Sequence, residues 1–257
     1  YISGGNNVDL SGYNAGVFAT DSNVTSNANG DYATDDFVFG SPTLDYDVNT
    51  SDGVRMFFDK STGAFRAGRA DNTNWDTDSL GQRSFATGYR TKAFGNYSTA
   101  MGNNTDASGD YSTAMGYYTD ATGVYSTAMG YYTEATGFRS TAMGANTDAT
   151  GTSSTAMGGN TVATGAYSTA MGRYNIGGGN PTTWVATDPL FEIGNGTSSS
   201  SKSNAFTVLK NGNIGINVTP NTNYQFYNYA PSTSSASYAH RNYFYRNTTT
   251  KSGTMYG

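Results

Sequence analysis

Few residues in this 257-residue chain are placed to do chemistry on a substrate. The one histidine, His240, has no cysteine to work with, because the chain has none. Serines abound, but none stands in a G-x-S-x-G turn and none has a base at triad spacing. No phosphate-binding or dinucleotide fingerprint occurs either. Four acids recur in register: Asp106, Asp120, Glu134 and Asp148. Stacked carboxylates suit a hard cation such as calcium. Val162 breaks the row, however, and no calcium-loop pattern surrounds it, so a solvated acidic stripe is expected and no metal or cofactor is assigned. The chemistry that remains is recognition. Tyr117, Tyr118, Tyr131 and Tyr132 form one candidate contact patch. Tyr238, His240, Arg241, Tyr243, Phe244 and Tyr245 form another, set among Ser and Asn between Pro231 and Thr250. Tyr and Arg anchors among small polar residues are the usual make-up of a contact surface. A non-enzymatic binding protein is the expectation.

Those residues are carried by a repeat. From Gly81 to Gly179 a glycine stands at every seventh position, and around it runs a 14-residue unit: YSTAMGNNTDASGD from Tyr97, YSTAMGYYTDATGV from Tyr111, YSTAMGYYTEATGF from Tyr125, RSTAMGANTDATGT from Arg139 and SSTAMGGNTVATGA from Ser153. Such self-similarity marks a repeat architecture. A coiled coil is excluded, since the heptads lack two apolar seam positions and each interior glycine would cost a helix about 1 kcal/mol. Thr and Tyr favour extended chain. Each copy therefore predicts one flattened coil of an all-β solenoid: a strand over 98–101, a turn at Gly102, a second strand over 105–108 and a turn at Gly109. Coils stack about 4.8 Å apart.

Alternation along the strand puts Thr99 and Met101 on one face and Ser98 and Ala100 on the other. We expect Thr, Met and Ala107 to fill the narrow slot. The row Ala100, Ala114, Ala128, Ala142, Ala156 and Ala170 then forms a flat strip for close packing against other chains. So thin a core needs that partner, which points to a homo-oligomer. The aligned Thr105, Thr119, Thr133, Thr147 and Thr161 also raise ice binding by an exposed Thr array, a reading the neighbouring acidic row disfavours.

The unit STAMG-x-x-T-D-A-T-G resembles the S-V-A-I-G-x-x-x-x-A-x-G repeat of trimeric autotransporter adhesin heads of the YadA type, from about Gly81 to Ile176, with Thr and Met where that family prefers Val and Ile. The resemblance implies a left-handed parallel β-roll, a parallel homotrimer, and binding to a host or prey surface glycan or protein. DDFVFGSP from Asp35, RMFFDKSTGAFRAG from Arg55 and NAFTVLKNGNIGIN from Asn204 look like segments that flank such heads in large bacterial surface fibres, and the last resembles the approach to chaperone regions of phage tail spikes. The expected place is therefore extracellular, on an outer-membrane-attached fibre or a phage-like tail fibre. The alternative function is a spacer rod displaying another tip.

Composition agrees. A net charge of −5 disfavours nucleic acid, which needs basic patches. Zero cysteines exclude disulfide stapling. No apolar run is long enough to cross a membrane as a helix. The chain opens at Tyr1, so a signal peptide or anchor is expected outside it. We divide it into a β lead-in and cap (1–80), the roll (81–176), a neck or hairpin connector (177–220) and a Tyr/Asn/Ser-rich C-terminal segment (221–257). Two hairpins are expected in the flanks: VRMFF and AFRAG about DKSTG, and the strands about Asn211-Gly212.

Overall fold

A computed structural model describes residues 53–70 and 73–220, together with five short strands at 19–21, 24–26, 37–39, 224–228 and 243–245. In chain order the strands are β1 (Ala19–Asp21), β2 (Val24–Ser26), β3 (Phe37–Phe39), β4 (Val54–Asp59), β5 (Ala64–Arg69), β6 (Phe85–Tyr89), β7 (Thr99–Asn103), β8 (Thr113–Ala121), β9 (Thr127–Ala135), β10 (Thr141–Ala149), β11 (Thr155–Gly159), β12 (Val162–Ala163), β13 (Thr169–Arg173), β14 (Pro189–Asn195), β15 (Asn204–Leu209), β16 (Ile214–Ile216), β17 (Tyr224–Asn228) and β18 (Tyr243–Tyr245). Among the described residues there is no α-helix, only 3-10 turns at Thr73–Trp75 and Thr77–Ser79.

The fold is a β-solenoid of 14-residue coils. Every coil pairs in parallel with the next in strict register: Ala100 with Ala114, Ala114 with Ala128, Ala128 with Ala142, Ala142 with Ala156, Ala156 with Ala170. The parallel ladder starts earlier and ends later than the repeat. β5, the second arm of the β4–β5 hairpin, pairs in parallel with β6, and β14 pairs in parallel with β13. DKSTG makes the hairpin turn because Asp59 gathers it: its carboxylate accepts from the Ser61 N–H at 2.7 Å and the Thr62 hydroxyl at 2.9 Å, and Gly63 follows at φ 72°. β15 and β16 form the antiparallel hairpin about Asn211 and Gly212.

The two glycine rows do different work. Gly130 has φ 131°, and an added Cβ there would lie 2.0 Å from the Gly144 carbonyl oxygen. This row bends a strand that otherwise continues, so Thr113–Ala121 is one nine-residue strand and no separate turn stands at Gly116. Gly123 lies outside the left-handed region, yet a Cβ on it would meet the Gly137 oxygen at 2.1 Å. Its row is held to glycine by proximity alone. Positive φ at the tight turns falls instead two residues later, on Tyr97 (58°), Tyr111 (58°), Tyr125 (61°) and Arg139 (56°). In each, an N–H two residues past the turn centre closes the loop, as Ser126 does onto the Gly123 oxygen at 3.0 Å.

The bore of the coil is narrow. Each coil sends in four small side chains, such as Ser98, Ala100, Thr105 and Ala107, all buried. This corrects the expected placement. Ala100, Ala114, Ala128, Ala142, Ala156 and Ala170 are the chain's own core, packed against Ala93, Ala107, Ala121, Ala135, Ala149 and Ala163, and cannot meet another chain. Thr99 and Met101 face outward, half-buried, with the matching Thr and Met of every coil. Met is too long for a bore that methyl and hydroxyl groups fill. The Thr105–Thr161 row is also internal, so it is not the exposed array considered for ice binding.

Both ends of the bore are plugged by charge. Arg66 stands in register with Ala86, one rung before the alanine row, and Glu192 stands in register with Ala170, one rung after it. The buried Arg66 guanidinium donates to the carbonyls of Phe65 (2.9 Å), Ser84 (3.2 Å) and Ala93 (3.0 Å) and to Ser84 Oγ (2.8 Å). Burial lowers its pKa to about 10, against a smaller opposing pull from Asp59. At the far end Glu192 accepts from Asn204 Nδ2 (2.7 Å), the Gly177 N–H (3.0 Å) and Asn175 Nδ2, while Asn175 pairs with both backbone groups of Val162. Outside Arg66, Trp75 packs edge-on to Phe57 and donates its indole N–H to Thr91 O at 2.7 Å.

Two outcomes follow. Gly123→Ala, at a φ any residue adopts, should destabilise by about 1–3 kcal/mol through collision, where an unhindered change would stabilise by about 0.4–1 kcal/mol; a denaturation midpoint at or above wild type would contradict the close approach. Arg66→Ala should cost about 2–4 kcal/mol by leaving a void and unpaired carbonyls, and should speed hydrogen exchange first at Ala86 and Ala93; equal exchange would contradict the plug.

Candidate binding surface

Repetition makes ladders of whatever points outward. Tyr97, Tyr111 and Tyr125, at the left-handed turn position, stack with centroids 4.9 Å apart and planes within 12°. Arg83 caps one end, 5.4 Å from the Tyr97 ring and donating to its hydroxyl at 2.8 Å. Arg139 caps the other, 6.0 Å from Tyr125 and 4.5 Å from Phe138. The rings use each other's faces and present only edges and hydroxyls. Stacking and cation–π contact offset the strain of holding a non-glycine residue at positive φ.

The structure brings Tyr117, Tyr118, Tyr131 and Tyr132 together as expected. Tyr117 stacks on Tyr131 at 5.3 Å and Tyr118 on Tyr132 at 4.9 Å, while Tyr117–Tyr118 and Tyr131–Tyr132 meet edge-on at 4.6 Å. All four are exposed, between 40% and 51%. Partial desolvation, then the neighbouring phenols, hold the Tyr132 hydroxyl above its usual pKa. Sequence reasoning passed over the Tyr97–Tyr125 ladder and the exposed pair Tyr167 and Trp184, centroids 6.1 Å apart. The period itself held the signal for the first. Of the second candidate set, Tyr238, His240 and Arg241 lie outside the described residues, and for Tyr243, Phe244 and Tyr245 the strand β18 alone is described.

The acidic row runs beside the double-tyrosine patch, with Asp120 opposite Glu134 and Glu134 opposite Asp148. Lys92 closes it at the Asp106 end with a 2.8 Å ion pair. Burial first, and then the carboxylates of Asp106 and Glu134, raise the Asp120 pKa; burial and Glu134 raise that of Asp148. Among the described residues no group of three or more His, Cys, Asp or Glu is arranged to hold a metal.

Overlapping stretches at 79–105, 95–119, 107–133, 121–147, 135–158 and 149–175 match the YadA head domain repeat. Residues 79–175 are thus similar to YadA head domain repeats. They make up rather more than a third of the chain and nearly coincide with the stretch that the repeat motif delimits, 81–176. No curated protein matches the chain as a whole. The head repeat is the part of the chain that carries both tyrosine ladders and the acidic row.

Asp120 gives the row a pH signature. Its folded pKa is raised, so between the unfolded value of 3.8 and that raised value the folded state binds more protons and stability rises on acidification. Asp120→Asn should therefore melt higher than wild type near pH 7, with the advantage fading as pH falls towards 4. An advantage that grows on acidification would contradict the repulsion.

Proposed function

We propose that this chain is a segment of a non-enzymatic, homotrimeric adhesive fibre on a bacterial surface, its head repeats forming a rigid rod and its exposed aromatic surfaces meeting a host or prey surface. One observation carries the assembly. Met101, Met115, Met129, Met143, Met157 and Met171 form a straight outward row beside Thr99, Thr113, Thr127, Thr141, Thr155 and Thr169. Phe85 and Phe191 continue the Thr row at its two ends. In the single chain these Thr and Met side chains stay only half-buried. A second and third copy of the same chain fit this face best, because a face that repeats along the rod is matched in length and pitch by itself, and a threefold axis closes the contact. The head repeats support the same reading, as do the mostly polar, cysteine-free composition and the sparse catalytic chemistry.

Adhesion then rests on surfaces away from that face. The Tyr117, Tyr118, Tyr131, Tyr132 patch is one proposed contact. The segment holding Tyr238, His240, Arg241, Tyr243, Phe244 and Tyr245 is the other, and three copies would multiply a weak contact. The spacer reading draws on the Tyr97–Tyr125 ladder, whose ring faces are already occupied by each other and by arginine.

The experiment pairs assembly with adhesion. Native mass spectrometry should find trimer for the parent chain and for Asp120→Lys, and monomer or aggregate for Met129→Glu. Beads coated with the trimer should bind epithelial or bacterial cells, and beads coated with the Met129→Glu chain should bind them far less. A trimer that survives Met129→Glu would overturn the interface; an intact trimer that binds no cells would leave the chain as a spacer.

A further inference from the structure

The double-tyrosine rung is interrupted for two coils. Tyr131 is opposite Ala145, Ala145 is opposite Gly159, and Gly159 is opposite Arg173. The next position along reads Tyr132, Asn146, Asn160 and Tyr174, all in the same left-handed conformation, φ 51°, 52°, 53° and 46°. The side chains therefore leave the backbone in parallel, and two short rungs lie between two long ones. The space above Gly159 is open, with no atom within 4 Å of where its Cβ would be. The result is a groove of about 320 Å³.

Its walls are aromatic and its floor is polar. One face of Tyr132 is taken by Tyr118, 4.9 Å away and within 3° of parallel, so its other face looks along the rod into the groove. Tyr174 closes the far end, about three coil spacings or 14 Å away. Between them the Asn146 and Asn160 carboxamides make no hydrogen bond to any of the described residues. Glu134 and Asp148 also line it, together with Lys202 from the loop before β15, which acts electrostatically on Asp148. The groove thus offers ring faces at its ends, amide donors and acceptors in the middle, and two carboxylate acceptors against one ammonium donor.

We propose that this groove is a saccharide subsite for one or two neutral sugar rings. It deepens the adhesive reading by naming a ligand class and a place. A pyranose has an apolar face of C–H bonds that packs on a tyrosine ring, and a rim of hydroxyls that both donate and accept. Carboxamides and carboxylates are the side chains that meet such a rim in both senses. The volume lies at the lower end of small-ligand sites, too small for a folded partner's loop. With two acids to one lysine, the groove repels carboxylated and sulfated sugars.

The test uses the full chain and saturation-transfer NMR with lactose, cellobiose, chitotriose and mannotriose, alongside 3′-sialyllactose and a short lysine-rich peptide. At least one neutral sugar should receive saturation on its ring protons. Asn146→Tyr with Asn160→Tyr extends the tyrosine rung through the groove, in a conformation Tyr118 and Tyr132 already adopt. That double variant should keep its melting temperature and bind the same sugar roughly tenfold more weakly or worse, since space and hydrogen-bonding partners go together. No neutral sugar bound, binding unchanged in the filled variant, or stronger binding of sialyllactose or the peptide would each overturn the proposal. If coated beads still adhere to cells while no sugar binds, the groove fails and the adhesive reading stands.

Discussion

The contact on which the whole rod depends is backbone against backbone at the glycine rows. A Cβ on Gly123 or Gly130 would fall about 2 Å from a carbonyl oxygen of the next coil, so nothing larger than hydrogen fits. Within this stack each coil encloses only a narrow bore. A narrow bore admits only Ala, Ser and Thr, and an interior of methyl and hydroxyl groups buries little apolar area per residue. Stability must come from elsewhere: from continuous parallel hydrogen bonding, from plugs that stop the ladder fraying, from stacked outer rings, and, in the proposed trimer, from the outer Thr/Met face.

The two plugs follow from the same constraint. A solenoid's last rung exposes the bore and a row of unpaired backbone groups. Arg66 is a donor fork that satisfies carbonyls at one end, and Glu192 is an acceptor that gathers an N–H and two carboxamides at the other. Each occupies the register of an interior alanine. Burying a charge is costly, and here each charge is surrounded by hydrogen bonds of the sense the rung leaves open.

Much of this was legible in the chain itself. The 14-residue unit gave the coil length and the register in which tyrosines and acids stack, and its seven-residue glycine period gave the two bends of each coil. Which face turns inward was misread. Alternation separates Thr99 and Met101 from Ser98 and Ala100 but does not say which pair is enclosed; that depends on the width of the bore. The uniform Ala at two of the four inward positions of the coils was the available sign. Arg66 and Glu192 were hidden because irregular loops separate them from the repeat, so spacing alone does not bring them to the alanine row. The groove between Tyr132 and Tyr174 was visible only as a lapse, Ala145-Asn146 and Gly159-Asn160 in place of Tyr-Tyr, and needed the left-handed backbone to become a shape.

The most direct test of this account exploits the absence of cysteine. In Met129→Cys, three thiols should meet around the trimer axis and oxidise to an interchain disulfide, seen as a dimer band on non-reducing gels. In Ala128→Cys, the neighbouring residue points into its own bore, and no interchain product should form. A cross-link at Ala128 with none at Met129 would mean that the alanine row faces the partner chains after all, and the assignment of core and interface would be reversed.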